Sequence, residues 1–270
     1  MFRGDWGGSR GYPGPVDRRQ RSVVNAEPVQ TGVVYPALMH RQRMLCMAVM
    51  SLAIASCHAH RVPSSSPTVG SDRARYPEHW WTPVSAEGAP AWEILPQEAG
   101  AGEVILSKRH ELGLLSNFAP TPFTYRGHRY ASIEGFWQMM LYPEDANDPR
   151  ATYPGLEWKH TRAEVAAMAS FEAKKAGDLA EANMRTMHID WVSFEGRHFP
   201  YRSPKPGEHY RLIVAATREK VRQNPEVQRA LLATGELVLR PDHHQEPNAP
   251  PEWRYFEILT QIRSELRRSH

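Results

Sequence analysis

The chain has 270 residues, 41% of them hydrophobic, with 33 Lys and Arg against 30 Asp and Glu for a net charge of +3. That is enough apolar material for one generous domain or two small ones, and a charge this near balance gives no strong signal for nucleic-acid binding. Both cysteines, Cys46 and Cys57, precede residue 58, so the body of the protein has no disulfide, no cysteine nucleophile and no thiolate metal site.

Residues 1–38 are rich in Gly, Arg and Pro with little periodicity, which predicts a disordered segment. From Met39 the chain has a basic opening (His40, Arg41, Arg43), an apolar run Met44 to Ala55, and small residues before Cys57. This is the three-part layout of a secretory signal over 39–57. Its end, Ile54-Ala55-Ser56-Cys57, resembles the bacterial lipobox, which implies lipidation of Cys57, a membrane partner through a lipid anchor, and a place in the bacterial cell envelope. Such a signal requires translation to start at Met39. The apolar run is too short to cross about 30 Å of hydrocarbon comfortably. A buried helix in a cytoplasmic protein is the ordinary alternative. Residues 58–102, with Pro, Ser, Gly and the cluster His79-Trp80-Trp81, read as a flexible linker that orders as it nears a domain spanning 103–268.

A short strand is expected over Glu103 to Ser107, followed by the stretch Leu114 to Tyr142, where polar groups sit among many aromatics. Asn117 lies between Ser116 and Phe118 in a loop stiffened by Pro120 and Pro122, an arrangement suited to orienting a ligand. Phe123 to Tyr130 alternates around Arg126-Gly127 and predicts a hairpin. Ser132 is then a fair N-cap for a helix that carries Glu134 in its first turn and Gln138 one turn later on the same face. The helix end favours an ionised Glu134, whereas walls of Tyr130, Phe136 and Trp137 would desolvate it and raise its pKa. On composition alone, the ordinary reading of Glu134 is a simple helix-end residue with core aromatics around it.

Pro143 to Pro154 is loop. Thr161 and Glu164 form a capping box for one helix running to about Met187, with Lys174 and Lys175 in mid-helix either solvated or, for Lys174, facing a phosphate. Asp190 to Phe199 alternates as a short strand or hairpin arm around Gly196. Gly207 to Gln223 is a helix with Leu212, Ile213, Ala216 and Val221 on its buried stripe. A short helix over Glu226 to Ala233 ends at Gly235, a good residue just past a helix end. Glu236 to Arg240 is strand-like, and Trp253 to Arg268 is a helix with Phe256, Leu259, Ile262 and Leu266 inward. The fold class is therefore α+β, a compact helix-rich domain with a few short strands. Adjacent His243 and His244 lack further ligand spacing, so no metal is expected. No P-loop, dinucleotide glycine fingerprint or nucleophile elbow occurs.

The order Ser116-Asn117-Phe118, then Pro120-x-x-Phe123, then Tyr130-x-Ser132-x-Glu134 entering an aromatic helix with Gln138, resembles the NADAR superfamily. Looser similarity covers Leu106 to Leu266, including Ala173-Lys174-x-x-Gly177, Lys220-x-x-Gln223-Asn224-Pro225 and Leu231 to Gly235. The YbiA-like members of that family are N-glycosidases acting on early riboflavin-biosynthesis intermediates, and relatives remove ADP-ribose from modified nucleic acid. The resemblance implies a YbiA-like fold and a hydrolase cleaving an N-glycosidic bond of a ribose-phosphate or ADP-ribosylated small molecule, with no cofactor. It implies Glu134 as the catalytic carboxylate, with Asn117, Phe118, Trp137, Gln138, Lys174, Asp242 and Trp253 as substrate-binding residues. Two features depart from the family pattern. Leu141 stands where a lysine follows the glutamate by seven residues, and Asp242-His243-His244 with a proline-rich segment replaces a Trp-Gly-Asp-Gly-type loop. A non-catalytic ADP-ribose or nucleotide-binding lipoprotein is the alternative that these departures leave open.

Overall fold

The computed structural model describes residues 73–268. The disordered segment 1–38, the signal over 39–57 with Cys57, and the start of the expected linker lie outside the described residues.

The fold is arranged about a short helix, α1 (Ile133–Met139), in which every residue is buried. Further helices are α2 (Arg162–Ala166), α3 (Ser170–Thr186), α4 (Glu208–Gln223), α5 (Pro225–Ala233) and α6 (Tyr255–Arg268). Six short strands make three two-stranded sheets among the described residues: β1 (Glu103–Ile105) with β6 (Val238–Arg240) in parallel, and the hairpins β2 (Phe123–Tyr125) with β3 (His128–Tyr130) and β4 (Trp191–Phe194) with β5 (Arg197–Pro200). The class is α+β. Both hairpins turn through two residues at positive φ, Arg126 (48°) and Gly127 (80°), then Glu195 (51°) and Gly196 (71°), the turn geometry that matches strand twist.

A buried helix must have its end groups answered by protein, because no water reaches them. At the start of α1, Ser132 Oγ accepts from the Gly135 N–H at 2.9 Å. At its end, Arg150 donates to the Met140 and Leu141 carbonyls at 3.0 and 3.1 Å, and Arg162 to those of Met139 and Tyr142 at 3.1 and 2.9 Å. Asp148 in turn holds Arg150 by two hydrogen bonds of 3.0 and 2.7 Å. The loop expected at 143–154 is thus a loop by backbone, yet it supplies Arg150, while Arg162 closes the same helix end from the start of α2.

Two expectations are corrected. Residues 73–102 are not a linker: they form three 3-10 turns that bury Trp80, whose indole N–H donates to Glu111 at 2.7 Å. The aromatic surface of Trp80 and Trp81 outweighed, in packing, the Pro and Ser content that suggested a tether. The helix expected from Thr161 to about Met187 is two helices, although the capping box of Thr161 and Glu164 forms as predicted. It breaks because carbonyls at its middle serve α1 instead: Ala166 accepts from the Ala131 N–H at 3.0 Å and Met168 from Ser132 Oγ at 3.0 Å.

That break lies against Gly135. A Cβ built there would fall 2.4 Å from the Met168 oxygen and 2.9 Å from that of Val165. Gly135→Ala is expected to push α1 from the 165–168 backbone and lower stability by about 1–3 kcal/mol, read as the shift of a urea midpoint at unchanged slope.

Candidate functional site

A cleft of about 560 Å³ opens over the face of α1 that carries Glu134, Trp137 and Gln138. Glu134 and Gln138 form part of its floor, and the Gln138 amide donates to Glu134 Oε1 at 2.8 Å. Gly177 of α3 lets the second helix close over this pair: a Cβ at Gly177 would lie 1.8 Å from Gln138 Oε1. Gln138 is therefore fixed between Glu134 and the α3 backbone, and its visible role is to hold the carboxylate.

Glu134 is 6% exposed. Burial pushes its carboxyl up to about 7; the Gln138 hydrogen bond, then the charge of Lys174 and more weakly that of Lys108, pull the other way. Desolvation wins over the polar neighbours, which settles the balance that the sequence left open.

The loop carrying Asn117 is held from α4. Lys220, 1% exposed, donates to the Ser116 carbonyl at 2.7 Å, Asn224 donates to the Pro122 carbonyl at 3.1 Å, and Gln223 bonds both the N–H and C=O of Thr124 at 2.8 and 2.7 Å. Asn117 in turn offers its carbonyl to the Glu134 N–H at 2.9 Å. Burial lowers the Lys220 ammonium to about 7. The motif Lys220-x-x-Gln223-Asn224 is legible in the sequence, but not that its side chains hold the Asn117 loop. Lys220 sits eight residues after Leu212 on the same stripe as Ala216, and that position was the available signal.

Two further walls complete the cleft. Lys108 pairs with Asp242, a buried carboxylate that also meets His243 Nδ1 at 3.0 Å and the Tyr255 hydroxyl at 3.4 Å. Burial raises the Asp242 carboxyl, but His243 and Lys108 together outweigh that and hold it below its usual range. Opposite, the Trp137 indole donates to the Tyr201 hydroxyl at 3.3 Å, Tyr201 donates to Glu181 at 2.9 Å, and Arg202 lies 4.9 Å over the Trp253 ring.

Asn117, Phe118, Glu134, Trp137, Gln138, Lys174 and Trp253 all line this one cleft. Lys174 is ion-paired with Asp178 and half exposed. Asp242 stands behind the wall and presents Lys108 and His243 to the cleft rather than itself. Leu141 is fully buried in the hydrophobic core past the end of α1. Leu141 does not line the cleft. Lys108, Trp92, Phe171, Tyr201 and Arg202 were not anticipated. Among the described residues no group of three His, Cys, Asp or Glu could hold a metal ion, and no helix is long and apolar enough to cross a membrane.

Among solved structures, the chain is similar to the NMR structure of the E. coli protein YbiA at 18% identity, over 63% of this chain and 89% of that one, with a TM-score of 0.37. No family model and no curated protein matches it. A superposition this loose carries no weight for the chemistry of the site.

The two perturbed groups have opposite consequences for stability. Glu134 is raised from 4.5 to about 7, so its contribution is present below 4.5 and is lost as pH rises to 7, about 3 kcal/mol if fully expressed. Lys220 is lowered from 10.5 to about 7, so the unfolded chain binds the extra proton between those values and stability rises with pH there. Together they favour a stability minimum near pH 7. Relative to wild type, Glu134→Gln is expected to gain melting temperature between pH 5 and 7 and Lys220→Met to lose its relative gain between pH 7 and 10, measured by thermal scans across that range.

Proposed function

We propose that this cleft hydrolyses the N-glycosidic bond of a ribose-phosphate or ADP-ribose-type substrate, with Glu134 as the carboxylate beneath the sugar. The observation that carries this reading is the desolvated Glu134, poised near pH 7 and fixed by Gln138 in a cleft that also presents Lys108 and Lys174. Cleavage at C1 passes through a transition state with oxocarbenium character. The C1–N bond breaks with its electron pair leaving on nitrogen, water adds at C1, and ionised Glu134 steadies the cation and takes a proton of that water. The proton then passes to the departing nitrogen, which restores the carboxylate. Asn117 orients a ribose hydroxyl from a loop clamped by Lys220, while the lysines offset phosphate charge. The resemblance of the Ser116 to Gln138 pattern to the NADAR superfamily agrees with this chemistry.

One feature favours a second reading. Leu141 is core, so α1 brings no lysine to the cleft, and a domain that binds nucleotides without turnover would keep the remaining contacts. Hydrolysis of ADP-ribosylated nucleotides or riboflavin precursors by the wild-type chain, followed by mass spectrometry, separates the two.

Glu134→Gln is expected to lower kcat by about 10²- to 10⁴-fold with the fold retained. In wild type, activity should rise with pH to a plateau above about 7, the limb belonging to ionisation of Glu134. The control is Lys220→Met, which should leave that limb in place. Activity of Glu134→Gln within threefold of wild type would remove the carboxylate from the chemistry.

We also propose that Cys57 is lipidated and that the protein acts at the bacterial envelope. Expressed in a bacterium from Met39, it should partition into membranes, and Cys57→Ser should block cleavage and lipidation. A soluble product with residues 39–57 intact would contradict this.

A further inference from the structure

The rim of the cleft carries aromatic surface that the proposed chemistry at Glu134 leaves unused. Among the described residues, Trp92 (43% exposed) and Phe171 (58% exposed) are two of four large hydrophobic residues left open to solvent. The two stand together, with ring centroids 6.3 Å apart and planes at 53°, and Phe171 meets Phe118 edge-on at 5.1 Å. Lys108 Nζ lies 5.3 Å from the Phe118 ring and 5.9 Å from the Trp92 ring. Exposed apolar area grouped in this way, continuous with a concave site, marks a binding surface rather than ordinary surface scatter.

The backbone holds the rings in place. Trp92 is fixed through its carbonyl, which accepts from the His244 N–H at 3.2 Å, and through the bridge between Glu93 and His243. Phe171 follows Ser170, a non-glycine residue at φ 56°, whose N–H donates to the Phe118 carbonyl at 3.0 Å. A left-handed serine at the start of α3 is a strained conformation. It turns the chain so that Phe171 joins Phe118 at the rim. Trp92 arrives from the segment 73–102, which packs onto the domain.

We infer that Trp92, Phe171 and Phe118 form a stacking subsite for the planar heterocycle attached to the ribose, with Lys108 beside it drawing the ligand's phosphate. This deepens the reading of the cleft as a ribose-phosphate site and rests on it. The rings line the same concavity as Glu134, so the occupant is a small molecule that reaches both, and a heterocycle joined to a ribose phosphate has that span. Flat ring faces beside a cation suit a nucleobase, which stacks whatever its sequence of ring atoms.

The test compares adenosine 5′-monophosphate with ribose 5-phosphate, titrated calorimetrically into the full chain and into Trp92→Ala, Phe171→Ala and Glu134→Gln. The base should improve wild-type affinity at least tenfold over ribose 5-phosphate. Trp92→Ala and Phe171→Ala should each weaken the nucleotide by about 5- to 150-fold, the range for loss of one base-stacking aromatic, while ribose 5-phosphate stays within twofold. If ribose 5-phosphate binds but the base adds nothing, or both ligands weaken equally in the two variants, the stacking subsite is overturned and the ribose site survives. If neither ligand binds wild type, both fall. Because Trp92 and Phe171 are exposed, their replacement should leave the melting temperature nearly unchanged, which keeps a lost signal from being read as unfolding.

Discussion

A seven-residue helix in which every residue is buried must have its ends satisfied by protein groups, and much of this fold can be read as the answer to that demand. Ser132 closes one end of α1, and Arg150 and Arg162 close the other, drawing the 143–154 loop and α2 against the core. Burying cations is costly unless they are well bonded. Arg150 meets this condition through Asp148 and Ser193, while burial lowers Arg162 to about 10 despite the charge of Glu144 nearby. The same constraint prepares the site. Helix α1 can be covered closely because Gly135 and Gly177 present no Cβ where the 165–168 backbone and Gln138 must pass.

Close cover is what gives Glu134 its character. Had α3 stood an ångström further out, water would reach the carboxylate and its pKa would relax toward that of an ordinary glutamate. Gln138 then acts on Glu134 through a single donated hydrogen bond, and Asn117 through its backbone. The Asn117 loop owes its position to α4, where a buried lysine, an asparagine and a glutamine each grip a main-chain group of 116–124. Main-chain contacts of this kind fix a loop without occupying its side chains, so those of Asn117 and Phe118 remain available to a ligand.

The cleft is assembled from segments far apart in the chain. The parallel pair of β1 and β6 places Lys108 beside Asp242, 134 residues away, and the packing of 73–102 adds Trp92. Such charged and aromatic walls around a desolvated carboxylate suit a ligand with polar groups more than a purely apolar one.

Local rules alone determined a good deal. The Ser132 cap, the capping box of Thr161 and Glu164, the turns at Arg126-Gly127 and Glu195-Gly196, and the buried stripe of α4 follow from periodicity and backbone preference within a few residues, and each forms as expected. The pattern from Ser116 to Gln138 also put the core of the cleft, Asn117, Phe118, Glu134, Trp137 and Gln138, in one stretch. What lay beyond the sequence needed distant surfaces to meet. The break between α2 and α3 arises because carbonyls at 166 and 168 are claimed by residues 131 and 132. The core placement of Leu141 follows from where α1 stops, and the inclusion of 73–102 from the burial of Trp80. The raised pKa of Glu134 and the lowered one of Lys220 are desolvation effects. Desolvation is a property of what covers a group, and the covering atoms here come from parts of the chain that no local window contains.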